Sequence, residues 1–289
     1  MKKIIVLILC LTICFTNFIG CNTKKEETTN NENILDVYLL FGQSNAVGYT
    51  LFQGCDDEYI LGYDNIKIYQ DGEQSQYNKG NVNKWLKVKA GLGQTSNKCG
   101  IEIGFSKVLT SEYENSECRI IRYGWGGKTL YNDFAPPSIL KVNDFETRGQ
   151  YYRNAIETAK RALKTINDEG KTPNVRAILW MQGEHDATVK EYAEAYADNL
   201  TALINDLRSE FKNAPFLIGQ IALNSPNNSR YVDVVVSAQN QVAENVKDTY
   251  LIDTSDLMLD IEKDSWHWQF PEMLELGVRF GEYVKQVIL

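Results

Sequence analysis

Short apolar runs alternate with stretches of helical period from residue 34 to the end of the chain. Residues 35–41 (LDVYLLF), 119–123 (RIIRY), 177–181 (AILWM), 216–221 (FLIGQI) and 250–252 (YLI) are short and rich in aliphatic and aromatic side chains, so they read as buried strands. Between them, residues 102–113, 147–167, 189–211, 231–246 and 271–288 place apolar side chains at the spacing of one helix face. In 189–211 that stripe is Ala193, Ala197, Leu200, Leu203, Ile204 and Leu207, and Thr188 followed by Glu191 matches a capping box. Strand-then-helix alternation implies an α/β fold with a central parallel sheet covered on both faces, a three-layer α/β/α sandwich. In such a sheet the active site forms at the carboxyl ends of the strands. No Pro- or Gly-rich linker and no internal repeat divides residues 34–289, so they are expected to form one domain.

The first 33 residues follow a different pattern. Lys2 and Lys3 precede twelve residues, 4–15, that are interrupted only by Thr12. That core is short of the ~20 apolar residues a membrane-spanning helix needs and fits a signal peptide. Residues 18–21 (FIGC) resemble the bacterial lipobox, whose cysteine, here Cys21, receives lipid. Residues 22–33 contain no apolar side chain and cannot bury enough surface to offset their ordering entropy. The expectation is a signal peptide over 1–20, a flexible tether over 21–33, and an exported lipoprotein. It would meet the membrane through a lipid anchor only and face the periplasm or the cell exterior. An ordinary secreted protein with an incidental cysteine is the alternative.

Composition narrows the partners. The hydrophobic share of 43% and charged share of 24% are ordinary for a globular chain. A formal charge of −8 argues against nucleic acid as a partner, because phosphate binding needs a clustered basic surface. Only two histidines occur, His185 and His267, so a His-rich metal site is excluded and any imidazole chemistry uses one of them. Past Cys21 the cysteines are Cys55, Cys99 and Cys118. A Cys55–Cys99 disulfide is the preferred pairing, both lying in loop-like sequence, whereas Cys118 opens a buried strand and reads as an inert core thiol.

The polar motifs fall directly after the strands. GQSN (42–45) follows the first and places Ser44 at the sheet edge, with Gln43 and Asn45 beside it as candidate substrate contacts. It is not the GxSxG nucleophile elbow. GWGGK (124–128) follows the second, and adjacent glycines let backbone N–H groups approach an anion closely. WMQGEHD (180–186) follows the third with an amide, two carboxylates and an imidazole. Within it Asp186 reads as a helix-start residue, and His185 as either an exposed loop residue or a functional one. DSWH (264–267) precedes the last helix, where Asp264 can orient the His267 ring so that its other nitrogen serves as a base. Each motif alone is compatible with a turn. Together they supply a serine, an anion cradle, an amide donor and an Asp–His pair, which is the set that acyl transfer needs.

GQSN, WGG, WMQGEHD and DSWH, in this order, resemble the sialate O-acetylesterase-like branch of the SGNH hydrolases, which includes acetyl xylan esterases of carbohydrate esterase family six. The resemblance spans residues 35–285. It implies a flavodoxin-like α/β/α fold and removal of acetyl groups from sugars. It also implies Ser44 as nucleophile, His267 as general base and Asp264 as its orienting acid. The Ser44 N–H, Gly127 (Gly126 being the alternative) and the Gln182 side chain are implied as oxyanion donors. Glu184 is implied as a further site carboxylate and second partner of His267. Lys128 departs from the small hydroxyl residue that many relatives carry after the glycines.

The expected activity is a serine carbohydrate esterase that needs no metal or cofactor and acts on an O-acetylated carbohydrate of acetyl xylan or sialate type. Two rivals carry different predictions. Five Trp and sixteen Tyr would suit a surface lipoprotein that binds glycans without turning them over. A lipid esterase or thioesterase of the same fold would prefer long acyl chains.

Overall fold

The computed structural model describes residues 33–144, 146–212, 214–224 and 230–289. The expected signal peptide, the expected tether up to residue 32 and the lipidation candidate Cys21 lie outside the described residues. The strands are β1 (Ile34–Gly42), β2 (Thr50–Leu51), β3 (Tyr63–Gly72), β4 (Trp85–Val88), β5 (Lys98–Cys99), β6 (Cys118–Gly124), β7 (Thr172–Met181), β8 (Phe216–Gly219) and β9 (Thr249–Ile252). The helices are α1 (Ser44–Val47), α2 (Asp57–Leu61), α3 (Gln74–Tyr77), α4 (Glu102–Glu112), α5 (Gln150–Asp168), α6 (Lys190–Glu194), α7 (Tyr196–Glu210), α8 (Val232–Asn245) and α9 (Phe270–Tyr283).

Seven strands form one sheet in the order β4-β3-β6-β1-β7-β8-β9, while β2 and β5 pair separately. The sheet is parallel except at one edge, where β4 runs antiparallel to β3. The central strand explains the layering. Val37, Tyr38, Leu39, Leu40 and Phe41 are all buried, so β1 is covered on both faces, as its unbroken apolar run requires. Each such side chain contributes roughly 1.5–3 kcal/mol of burial free energy. Helix α5 lays Ala155, Ala159, Ala162 and Ile166 onto the sheet, and α4 packs against α9. The result is the expected α/β/α sandwich.

All five expected strands are present. β7 begins earlier than its apolar run, because residues 172–175 pair with the outer end of β1 although they are polar or only partly buried. β3 and β4 have no such run. β3 mixes Ile66 and Ile68 with Asp64, Asn65, Lys67, Gln70 and Asp71, an alternation near the sheet edge and not a continuous core segment.

The helix expected over 189–211 is broken at Ala195, where α6 ends and α7 begins with the buried Tyr196. The capping box does not form. Thr188 Oγ1 donates back to His185 O at 2.8 Å, and Glu191 accepts from the Tyr131 hydroxyl at 2.5 Å. The Cys55–Cys99 bond is also absent. All three thiols are free, with Cys99 packed wholly inside the core. Cys118 is buried as expected, and burial pushes its thiol well above the ordinary range.

Candidate active site

Three glycines lie in register at the carboxyl edge of the sheet, Gly72 of β3, Gly124 of β6 and Gly42 of β1, and Gly42 also pairs with Met181 of β7. At Gly42, φ is +148° and a Cβ would stand 2.0 Å from Met181 O, so only glycine allows this approach. The Gln43 N–H donates to Met181 O at 2.9 Å and the Trp125 N–H to Gly42 O at 3.2 Å. Four strand ends thereby bring Glu73, Trp125, Ser44 and Gln182 to one edge. Ser44 opens helix α1 and is 5% exposed.

His267 reaches the same place from the C-terminal part of the chain. Asp264 Oδ2 is 2.8 Å from His267 Nδ1, while Asp264 Oδ1 accepts from the N–H groups of Trp266 (2.9 Å) and His267 (3.1 Å). Burial alone would raise the Asp264 carboxyl. The imidazole and the Trp266 N–H outweigh it and hold the carboxyl below its usual range. The backbone on either side of His267 is tied to residues around Ser44. Asn45 Nδ2 donates to Trp266 O at 3.3 Å and Thr50 Oγ1 to Trp268 O at 2.8 Å. The Tyr49 ring stacks on the imidazole, with centroids 4.7 Å apart and planes 25° from parallel. Among the described residues no hydrogen bond joins the Ser44 hydroxyl to His267. Such contacts often tighten only when substrate is bound. A cleft of about 420 Å³ opens against His267 and Asp264, walled by Tyr49, Leu51, Lys98 and Lys263.

The glycine pair of GWGG is used unequally. The Gly126 N–H donates to Glu73 Oε2 at 2.7 Å. Gly127 is exposed, adopts φ +66°, and its N–H meets no acceptor among the described residues; nor does that of Ser44. Gly126 is therefore committed, and Ser44 and Gly127 present the free backbone donors. A Cβ on Gly126 would sit 2.4 Å from the Tyr49 hydroxyl, which accounts for glycine there.

The 182–186 segment is a buried brace. Gln182 is wholly buried, and its Nε2 faces Asp186 Oδ2 (2.5 Å), Lys128 O (3.1 Å) and Gln43 Oε1 (3.2 Å). Its two amide protons thus already face three acceptors, so the expected oxyanion role would require it to release one. Asp186 opens a 3-10 turn over Asp186–Thr188, as expected, but it is wholly buried. Its carboxylate accepts from the N–H groups of Leu130 (2.8 Å) and Tyr131 (3.0 Å), anchoring the chain just past Gly127, and burial raises its pKa to about 7. Glu184 is held by Asn45 Nδ2 at 2.6 Å and not by the His267 ring. Burial raises its carboxyl against the opposing pull of Asn45 and the nearby imidazole. His185 is exposed, with its Cε1 4.0 Å from where a Cβ on Gly127 would be.

Of the residues singled out from the sequence, Ser44, Asn45, Gly127, Gln182, Glu184, Asp264 and His267 are drawn together by this network. Asn45 is itself buried and bonded to Glu184 and Trp266, so it braces the site. Gln43 Oε1 is likewise directed inward, accepting from Gln182 and, at 3.4 Å, from the His185 N–H. Two residues escaped sequence reading. Glu73 follows β3, which lacked an apolar run. Tyr49 lies five residues past the serine with no motif to mark it. The signal for Glu73 was a glycine followed by a polar residue, the pattern already seen at Gly42.

A family model described as carbohydrate esterase, sialic acid-specific acetylesterase matches residues 34–286. A protein of Arabidopsis thaliana described as a probable carbohydrate esterase is 24% identical over 141 residues, 49% of this chain and 50% of that protein. The aligned segment thus spans about half the length of that curated relative. The X-ray structure of the Arabidopsis protein superposes with a TM-score of 0.66 at 16% identity, covering 88% of this chain and 99% of that one. NanS gives a TM-score of 0.61 at 14% identity, with 88% and 97% covered. A carbohydrate acetylesterase from Xanthomonas citri gives 0.61 at 19% identity, with 88% of this chain and 56% of that one covered. At these identities the superpositions establish a shared fold.

Proposed function

The chain belongs to the family described as carbohydrate esterase, sialic acid-specific acetylesterase, and from that premise we propose that it is a serine esterase removing O-acetyl groups from a carbohydrate. The observation that carries the reading is the Asp264–His267 pair, bonded at 2.8 Å and pinned on both sides to the residues around Ser44. Asp264 fixes the tautomer, leaving Nε2 to accept the Ser44 proton. Ser44 Oγ attacks the acetyl carbonyl, and the N–H groups of Ser44 and Gly127 meet the charge that develops on its oxygen. Collapse expels the sugar oxygen, which takes the proton from His267. Water, deprotonated by His267, then attacks the acetyl-enzyme, releasing acetate and restoring Ser44. Gln182 supports this arrangement by holding Asp186, which anchors the chain after Gly127.

The test is acetate release from a panel of acetylated oligosaccharides by the wild type and by Ser44→Ala. Release by the wild type and its loss in the variant are expected. Preference for octanoyl over acetyl esters would move the reading to a lipid esterase, and binding without turnover would move it to a glycan-binding protein. We also propose export and lipidation at Cys21, supported by the sequence of residues 2–21. Cys21→Ser should then free the protein from the membrane fraction, and unchanged membrane association would refute the anchor.

A further inference from the structure

Glu73 is a 5% exposed carboxylate at the site edge that the mechanism above does not use. No lysine or arginine forms an ion pair with it among the described residues, and three hydrogen-bond donors converge on it instead. Its Oε1 accepts from the Tyr49 hydroxyl at 2.6 Å and from Gln94 Nε2 at 2.9 Å. Its Oε2 accepts from the Gly126 N–H at 2.7 Å. Its own N–H donates to Gly124 O at 3.0 Å, so the residue is fixed to the neighbouring strand end. An ionised carboxylate offers acceptors on both oxygens and so can hold two donors from different directions.

The two arms lead to the two halves of the chemistry. One arm holds Gly126 and thereby the turn that presents the free Gly127 N–H. The other holds the hydroxyl of Tyr49, whose ring is stacked on His267. The Gly126 backbone and the Tyr49 hydroxyl are in such close contact that a methyl group on Gly126 would not fit between them.

We propose that Glu73 is a positioning residue for ester hydrolysis, its carboxylate setting the oxyanion turn through Gly126 and the general-base ring through Tyr49. The proposal rests on the reading of Ser44 and His267 as nucleophile and base. Glu73 bonds Tyr49, Gln94 and Gly126, and so acts on Ser44 and His267 only through them. Its effect is to hold the turn and the imidazole in one fixed relation to Ser44, and misplacement of about 1 Å in such a site can cost ~10²-fold in rate.

The test compares Glu73→Gln, Tyr49→Phe and their double variant with the wild type and Ser44→Ala on p-nitrophenyl acetate. Reactive serines are counted with a fluorophosphonate, so that kcat is expressed per competent site. Glutamine keeps the size of Glu73 but replaces one acceptor oxygen by a donor, so either the Gly126 N–H faces another N–H or the Tyr49 hydroxyl, which already accepts from Gln94, must give up donating to residue 73. Glu73→Gln is expected to lower kcat per titrated serine by roughly tenfold to a hundredfold, with KM unchanged. Tyr49→Phe, which removes one hydroxyl and keeps the stacked ring, should lower kcat by a smaller factor. The double variant should lose less than the product of the two single factors, because both changes act on the contacts of one carboxylate.

A purely structural role would reduce the number of titratable serines and leave kcat per serine at the wild-type value. That result in both single variants overturns the proposal, as does a loss confined to KM. The Ser44→Ala arm separates the two readings. If Ser44→Ala retains full turnover, the nucleophile assignment fails and the proposal falls with it. If Ser44→Ala is inactive while Glu73→Gln and Tyr49→Phe run at full speed per serine, only the positioning role fails.

Discussion

In the proposed reaction the Asp264–His267 turn and the Gly126–Gly127 turn serve the same serine, but they are built from different spans of chain. In the first, acid and base lie three residues apart, and Asp264 closes the turn by accepting from the Trp266 and His267 N–H groups as well as from the ring. In the second, the carboxylate that holds the turn comes from residue 73 and the one that anchors its far side from residue 186. The first turn needs the rest of the fold only to bring it to the serine. The second has no geometry of its own until β3, β6 and β7 are aligned. Damage to the first should therefore remove a chemical group, whereas damage to the second should spoil a distance.

The largest effect is expected within the local turn. Asp264→Asn, with the fold intact by circular dichroism, should lose ~10³–10⁴-fold in kcat through the wrong imidazole tautomer. Glu184→Gln should lose clearly less, because the Glu184 carboxylate is bonded to Asn45. The reverse order would show that the turn is merely structural and that Glu184 serves the base.

A change in the assembled turn should cost less. Gly126→Ala drives a methyl group into the Tyr49 hydroxyl, 2.4 Å from the ideal Cβ position. The turn must shift, and kcat should fall by ~10²-fold with little change in KM. A normal kcat would mean that Gly127 does not serve the developing charge.

How far each half could be read from sequence follows the same division. DSWH displays its chemistry within four residues, and GQSN and WMQGEHD stand directly after apolar runs that announce their strands. Glu73 stands after β3, whose Ile66 and Ile68 alternate with polar residues, so neither the strand nor its terminal carboxylate was visible. Asp186 was visible as a residue but not as a role. Its partners are backbone N–H groups of residues 130 and 131, which no side-chain pattern can disclose. The break at Ala195 was equally hidden, because it lets Tyr196 turn inward and donate to Gln182 O at 2.7 Å, a contact set by the folded sheet edge.

The smallest effect concerns Asp186 and is read in stability. Burial raises its pKa to about 7 from an ordinary value near 4, so the folded protein holds this proton more tightly than the unfolded chain does. The resulting stabilisation is complete below about pH 4 and is lost as pH rises through about 7. Relative to Asp186→Asn, the wild type should therefore lose stability between these limits, by at most about 1.4 kcal/mol per pH unit. Urea unfolding of both proteins at pH 5 and pH 8 measures this. A difference that stays constant with pH would show that Asp186 is ionised throughout, satisfied by its donors.

The central claim is that Ser44 is the nucleophile on which both turns converge. Reaction with a fluorophosphonate followed by peptide mass mapping tests it directly. One covalent adduct is expected, on the peptide carrying Ser44, rising in proportion to the esterase activity lost. Inactivation with the adduct on another residue, or full turnover by protein modified at Ser44, would contradict it.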